Sequence, residues 1–176
     1  RHLYFQNPYH YATSEALEQA FPSWLQLGRC WRAGRYPHDP YYYPEYPALP
    51  FLSSFYPPHA LSAVVATWLT LDQAWLLFSL TMVSHFWLAS VSVYILASSM
   101  GCAPLTAGFA SLTLSSLGYA MKQNSCIVYT ASWIPVYVLA SMSHQTILAG
   151  ISLGLMLLAG YWPIALYAIP LGCLCW

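Results

Sequence analysis

The sequence divides into a polar first quarter and an apolar remainder. From Tyr46 to the C-terminus only Asp72 and Lys122 carry a formal charge, whereas the other eight charged side chains lie within the first 45 residues. A water-soluble domain needs charged side chains over its surface, and the apolar part holds too few to cover one. The pattern therefore predicts an all-α, polytopic transmembrane helical bundle over residues 59–176, preceded by a loop region over residues 1–58.

Polar and turn residues divide the apolar part into candidate membrane segments. A span needs about 20 residues at ~1.5 Å each, so the segment 59–71 is too short for a full span unless it begins in the Pro57-Pro58 interface; the alternative is a re-entrant segment. Asp72 is predicted to N-cap a helix over Gln73–Ser99 that is long enough to cross with tilt. We expect four to five membrane segments in all, and the later ones are 105–120, 127–142, 146–159 and 160–176.

The segment 105–120 carries a series of small side chains. Such residues let two helices in a membrane approach each other closely, so we predict that this face packs against another helix rather than against lipid. The small residues are Gly108, Ala110, Ser111, Ser115, Ser116 and Gly118.

Within residues 1–58 the spacing of apolar side chains predicts one amphipathic helix over residues 14–33. Pro22 is expected to kink or restart it, and Gly34 to end it. Such a helix would rest on the membrane surface or on the bundle. Its apolar face consists of Leu17, Phe21, Trp24, Leu25 and Trp31. The segment 36–47 that follows holds four prolines in twelve residues, which excludes both helix and interior strand.

Composition agrees with a membrane protein, because 6% of the residues are charged against about 25% in an ordinary soluble domain. The net charge is zero and there is no long basic run, so we expect membrane lipid rather than nucleic acid as a partner. The five cysteines follow no metal-ligand spacing and predict neither a metal site nor a disulfide. The chain starts at Arg1 without a Met, so we expect a piece of a longer protein.

An ordered series of short motifs runs through the chain. It begins with Glu15, Gln19 and Pro22 near Trp24, continues with Gly34 to Pro40, and reaches Phe55-Tyr56-Pro57-Pro58; His85, Tyr94-Ile95-Leu96, Gly101, Trp133-Ile134-Pro135 and Leu157-Leu158-Ala159-Gly160 follow. In this order the chain resembles the YfhO family of bacterial multi-pass membrane proteins, which are similar to the lipid-dependent C-type glycosyltransferases. It departs from that pattern at Glu15, where Asp is usual, and at His38-Asp39, where Trp-Asn is common.

The resemblance implies a C-type glycosyltransferase-like bundle in the bacterial inner membrane, with residues 1–58 as an extracytoplasmic loop. It implies transfer of a sugar from a polyprenyl-phosphate donor to a cell-envelope acceptor, and we expect no cofactor beyond that donor. The alternative is a transporter or a membrane assembly factor without enzymatic activity. A transporter would show discontinuous helices that meet in mid-membrane.

Sugar transfer from a lipid phosphate needs a carboxylate to take a proton from the acceptor, and a cation to stabilise the departing phosphate. We expect Glu15 or Asp39 to act as the base and Arg32 or Arg35 to bind the phosphate. Glu18 and His38 are further candidates for binding substrate; Glu18 lies on the same helical flank as Glu15. The alternative is structural, since acidic residues near a helix start offset its dipole and arginines anchor at lipid headgroups.

Among the apolar segments, His85 stands in the middle of a predicted span. An imidazole at such a position must find a hydrogen-bond partner inside the bundle. We expect a core hydrogen bond there rather than a proton relay.

Overall fold

The computed structural model describes residues 20–35, 54–120 and 125–174, and every regular element within these ranges is a helix. The predicted all-α class is therefore confirmed for this part of the chain. The helices are α1 (Phe21–Arg32), α2 (Pro57–Ala66), α3 (Leu71–Ser99), α4 (Pro104–Ala120), α5 (Ser125–Ser132), α6 (Ile134–Met142), α7 (Thr146–Leu158) and α8 (Trp162–Cys173).

Helix α1 forms the described part of the predicted amphipathic helix, whose first residues, 14–19, lie outside the described ranges. Pro22 stands in the first turn of α1, where its missing N–H is not needed, so it starts the helix rather than kinking it. Gly34 ends the helix as predicted. Its φ of +63° lets the N–H of Arg35 donate to the Cys30 carbonyl at 2.9 Å.

Helices α1 and α2 lie side by side and run in the same direction. The Trp24 indole donates to the His59 carbonyl at 3.1 Å, and one turn farther on the Gly28 Cα faces the Ala63 carbonyl. Trp24, Leu27 and Gly28 are buried in this packing. Of the two surfaces predicted for the helix, α1 therefore rests on the bundle. Leu27 and Gly28 belong to the buried face although the predicted face did not include them.

Helix α3 begins two residues before the predicted start. Its N-cap is Thr70, which accepts from the Gln73 N–H at 3.4 Å while the Gln73 side chain accepts from the Thr70 N–H at 3.1 Å. The prediction that Asp72 caps the helix is wrong, because Thr70 and Gln73 form a capping box in which each side chain accepts from the backbone N–H of the other residue. Asp72 lies inside that turn, where its charge offsets the helix dipole.

Among the described helices, α3 alone is both long and apolar enough to cross a membrane by itself. It has 29 residues and reaches a mean hydropathy of 1.6 over 18 of them, of which 28% are buried. Large apolar side chains such as Leu80 and Trp87 are exposed on it, at 54% and 70%. A core helix of a soluble protein passes the same test of length and hydropathy. Helix α3 therefore supports membrane association, and it does not bear on the predicted number of four to five membrane segments.

Helix α2 runs antiparallel to the first half of α3. It starts after Tyr56, whose hydroxyl is hydrogen-bonded to His85 in the middle of α3, and it ends four residues before Thr70. Fourteen residues of α3 at ~1.5 Å each place His85 about 21 Å along that helix. The ten-residue α2 itself covers about a third of the length of α3. It is therefore shorter than a membrane span, as predicted for 59–71.

Helix α4 packs against α3, as its small residues predicted. Ala107 is fully buried, and the Ser111 hydroxyl donates to the Ser90 carbonyl of α3 at 2.9 Å. Gly108 has no neighbour where a Cβ would stand, and Ala110 is exposed. Of the predicted small face, Ser111 therefore contacts α3 while Gly108 and Ala110 do not. The other three residues, Ser115, Ser116 and Gly118, lie where the side chains are outside the described part of the structure.

The single apolar segment predicted over 127–142 is two helices in the structure. It breaks at Trp133, whose N–H turns back to the Thr130 carbonyl at 3.3 Å. Pro135 explains the break, because a residue without an N–H cannot continue the hydrogen bonds of α5 and is preferred in a first turn. The segments predicted over 146–159 and 160–176 appear as α7 and α8.

Replacement of Gly28 by alanine tests the α1–α2 contact. The new Cβ would lie 2.0 Å from the Ala63 carbonyl oxygen, so the two backbones must separate, and we expect a loss of about 1–3 kcal/mol in the free energy of unfolding. Gly108→Ala is the matched control, because its Cβ meets nothing within 4 Å and alanine favours helix. Thermal unfolding in detergent measures both variants. Equal unfolding temperatures for the two would contradict the close approach.

Candidate functional site

Several buried aromatic and histidine side chains gather beside the midpoint of α3. His85 is the fifteenth of its 29 residues and is 4% exposed. Tyr56 and Tyr129 are fully buried, and His59 is 8% exposed. These four residues together with Trp133 form what we call the central cluster. They come from three separate stretches of the sequence, which their side-chain contacts join.

A directed chain of hydrogen bonds runs through the central cluster. The Trp133 indole donates to the Tyr56 hydroxyl oxygen at 2.7 Å, and the Tyr56 hydroxyl is hydrogen-bonded to His85 Nε2. His85 Nδ1 lies 2.6 Å from the Thr81 carbonyl, which can only accept, so this nitrogen carries the proton. The expectation that His85 makes a core hydrogen bond is therefore confirmed.

The ring of Tyr129 lies between the two histidines. Its centroid is 4.5 Å from that of His85, 5.3 Å from that of His59 and 5.5 Å from that of Tyr56. Unlike His85, His59 has a ring nitrogen, Nδ1, that is buried and has no hydrogen-bond partner among the described residues. The cluster therefore combines one fully bonded imidazole with one that is not.

Three short helices begin around this cluster, and an aromatic residue precedes each of them. Tyr56 precedes α2, Trp133 precedes α6, and Tyr161 precedes α8. The Tyr161 N–H donates at 3.3 Å to the hydroxyl of Thr130, the neighbour of Tyr129. Each of these helices also has a proline at its first or second position. Because proline has no backbone N–H, a first turn that contains proline buries fewer unpaired N–H donors than the same turn with another residue there.

Of the residues predicted to form the functional site, Arg32 and Arg35 lie in the described part of the chain. Both are exposed at the C-terminal end of α1. Arg32 donates at 3.4 Å to the carbonyl and the hydroxyl of Thr67, just beyond the end of α2, and its guanidinium lies 5.0 Å from the Trp68 ring. Glu15, Glu18, His38 and Asp39 lie outside the described residues, so the predicted base and phosphate ligands are not brought together within them.

A hydrogen bond joins the described residues on either side of the segment 36–53, which carries His38 and Asp39. The Trp31 indole on α1 donates to the Ser54 carbonyl at 3.1 Å, and its ring meets that of Phe55 at 5.5 Å. The start of the chain that leads into α2 is therefore fixed against the C-terminal half of α1.

No group of three or more histidine, cysteine, aspartate or glutamate side chains among the described residues is arranged to hold a metal ion. The central cluster offers two histidines, and neither has a carboxylate or thiolate among the contacts given above. Chemically, this arrangement can donate and accept protons along the series of hydrogen bonds that joins Trp133, Tyr56 and His85.

Sequence reasoning found His85 but not the other members of the cluster. A signal for them exists, because Tyr56-Pro57-Pro58, Trp133-Ile134-Pro135 and Tyr161-Trp162-Pro163 each set an aromatic residue just before a helix that starts with proline. Comparisons of the chain with protein-family models, with curated proteins and with solved structures found no match. The resemblance to the YfhO family therefore stays a prediction.

Tyr56→Phe tests the hydrogen-bond chain. Loss of one hydroxyl leaves both the Trp133 indole N–H and His85 Nε2 buried without a partner, at about 1–3 kcal/mol for each group. We therefore expect a marked fall in unfolding temperature in detergent. Tyr167→Phe is the control, because Tyr167 is 79% exposed and the same change there should cost less than about 0.5 kcal/mol. A fall of the same size in both variants would contradict the chain.

Proposed function

We propose that this protein is a multi-pass integral membrane protein of the C-type glycosyltransferase-like class. It transfers a sugar from a polyprenyl-phosphate donor to an acceptor of the cell envelope, in the bacterial inner membrane, with residues 1–58 on the extracytoplasmic side. The observation that carries the proposal is the position of the cationic end of α1, next to the first residues of α3, which among the described helices is long enough to span a bilayer.

This cationic end lies where a lipid phosphate would be found. Arg32 contacts Thr67 and Trp68, and α3 starts at Leu71, so the guanidinium stands beside the start of the candidate span. Arg29 and Arg35 are exposed on the same end of α1. Headgroup phosphates lie at the ends of a membrane span, and an arginine fork fits a phosphate with two hydrogen bonds.

The segment that would supply the base starts from the same place. Arg35 directly precedes the segment 36–53, and Trp31 holds the far end of that segment at Ser54. A carboxylate at Asp39 is four residues from Arg35 along the chain. In this proposal Asp39 or Glu15 takes the acceptor proton, Arg35 and Arg32 hold the donor phosphate, and His38 and Glu18 contact the sugar.

Exposed apolar surface supports the multi-pass arrangement. Leu105 and Phe109 on α4, like Ile147 on α7, are exposed by more than 60%. Large apolar side chains exposed on several helices are unfavourable in water, and the hydrocarbon of a lipid bilayer is an apolar environment that can surround them. In this proposal the shorter apolar helices α5 to α8 lie within the bilayer beside α3.

Transfer of a radiolabelled sugar from a polyprenyl-phosphate donor tests the proposal, with the full-length protein in detergent. Glu15→Gln or Asp39→Asn should lower the rate by about 10²–10⁴-fold with donor binding retained, as expected for loss of a general base. Arg35→Gln should weaken donor binding instead. Tyr167→Phe is the control, because Tyr167 is exposed on α8, which packs against α5, α6 and α7, and this variant should keep full activity.

A wild-type protein that neither binds nor transfers any of a series of lipid-phosphate sugars would overturn this function. The second candidate is then a transporter. One observation favours it: α2, α6 and α8 begin around the middle of α3, as the discontinuous helices of transporters do. Uptake of solute into proteoliposomes separates this candidate from an assembly factor, which would show none.

A further inference from the structure

The three hydrogen bonds that join Trp133, Tyr56, His85 and Thr81 can be made with only one placement of their hydrogen atoms. The Thr81 carbonyl fixes the proton of the His85 ring on Nδ1, so Nε2 presents a lone pair. The Tyr56 hydroxyl donates to that lone pair and accepts from the Trp133 indole. Each group has one role, and none can be reversed without leaving another group unpaired.

A proton added at His85 Nε2 breaks this arrangement. Two N–H groups, one from the imidazolium and one from Trp133, would then point at the Tyr56 oxygen, and the Tyr56 hydroxyl hydrogen would lose its acceptor. A buried donor without an acceptor is costly, and a buried charge without a counterion is costlier.

The surroundings of His85 supply no counterion among the described residues. The titratable side chains that face it are Tyr56 before α2, His59 on α2 and Tyr129 on α5, and none of them is an acid that ionises near neutral pH. The described side chains with a formal charge are Arg29, Arg32, Arg35 and Asp72, and all four are exposed. The protonated imidazole is therefore incompatible with the bonded arrangement.

Tyr56 also holds the helix pair α1–α2 to the rest of the bundle. It stands at the start of α2, and through His85 and Trp133 it joins α2 to α3 and to the α5–α6 break. Two bonds from α1, Trp24 to His59 and Trp31 to Ser54, flank Tyr56 along the chain. A release of Tyr56 would therefore loosen the start of α2 together with the end of the segment 36–53.

We propose that His85 is a proton-binding site that acts as a latch: a proton on Nε2 releases Tyr56 and the start of α2 from α3 and Trp133. The proton binds the released form and not the bonded form, so acid favours release and alkali favours the bonded form. Below the ordinary imidazole pKa of about 6.5, each pH unit raises the released fraction by up to tenfold. The latch does not depend on the proposed sugar transfer, and its test uses no activity.

Hydrogen exchange of the α2 amides measures the latch in the full-length protein in lipid nanodiscs. Rates at about pH 7.5 and about pH 5.5 are corrected for the intrinsic dependence on pH and compared with the rates of α7 in the same molecules. We expect exchange of α2 relative to α7 to rise about tenfold in acid, which is the limit that one imidazole with a pKa of about 6.5 sets between these two pH values. In His85→Gln it should be the same at both pH values, and in Tyr56→Phe it should be fast at both. His59→Gln is the matched control, because it replaces the other histidine of the cluster and should respond as the wild type does.

An exchange rate of α2 that does not change with pH would overturn the latch, as would an acid response that persists in His85→Gln or disappears in His59→Gln. If His85→Gln fails to fold, nitrogen NMR of the wild type with labelled histidine gives the answer. Protonation of His85 must then follow the rise in α2 exchange, and a ring that stays neutral while exchange rises would refute the proposal.

Discussion

The bond between Tyr56 and His85 decides how the described part of this protein is assembled. An imidazole in the middle of a long apolar helix has no water to bind, so a partner must come from elsewhere in the chain. Tyr56 supplies it, and the oxygen of the same hydroxyl accepts from Trp133. Residues 29 and 77 positions apart in sequence are fixed to one another by a single hydroxyl group. The depth at which α2 begins and the place where α5 gives way to α6 both follow from it.

The starts of three helices inside the bundle pose a related problem, since the first turn of a helix has N–H groups without partners. In α2, α6 and α8 the sequence lowers that cost with prolines, which have no such group. The Thr130 hydroxyl satisfies a further donor at Tyr161. Helix starts that would be unfavourable in an apolar interior are thus made acceptable by the identity of one or two residues in each.

Hydrophobic pattern and turn residues were enough to predict the class of fold and most helix boundaries. They predicted the end of α1 at Gly34 and the long α3, because these depend on neighbours in sequence. They did not predict Thr70 as the cap, because Asp72 is an equally suitable capping residue in sequence, or the break at Trp133, because apolarity continues through it. Local hydrogen bonding decides both. The central cluster lay beyond a pattern analysis for another reason. Tyr56, Tyr129 and Trp133 are ordinary aromatic residues in sequence, and it is their contacts across the chain that make them a site. The residues predicted for catalysis from the family resemblance stay predictions.

The hydrogen bond from Trp31 to Ser54 closes a loop in the chain. Twenty-two residues lie between the two residues that it joins. The chain entropy lost on closing a loop grows slowly with loop length, at about 0.6 kcal/mol for each doubling. Insertions or deletions within residues 36–53 should therefore change the free energy of folding little, so that the length of this stretch and the stability of the helices can be altered independently.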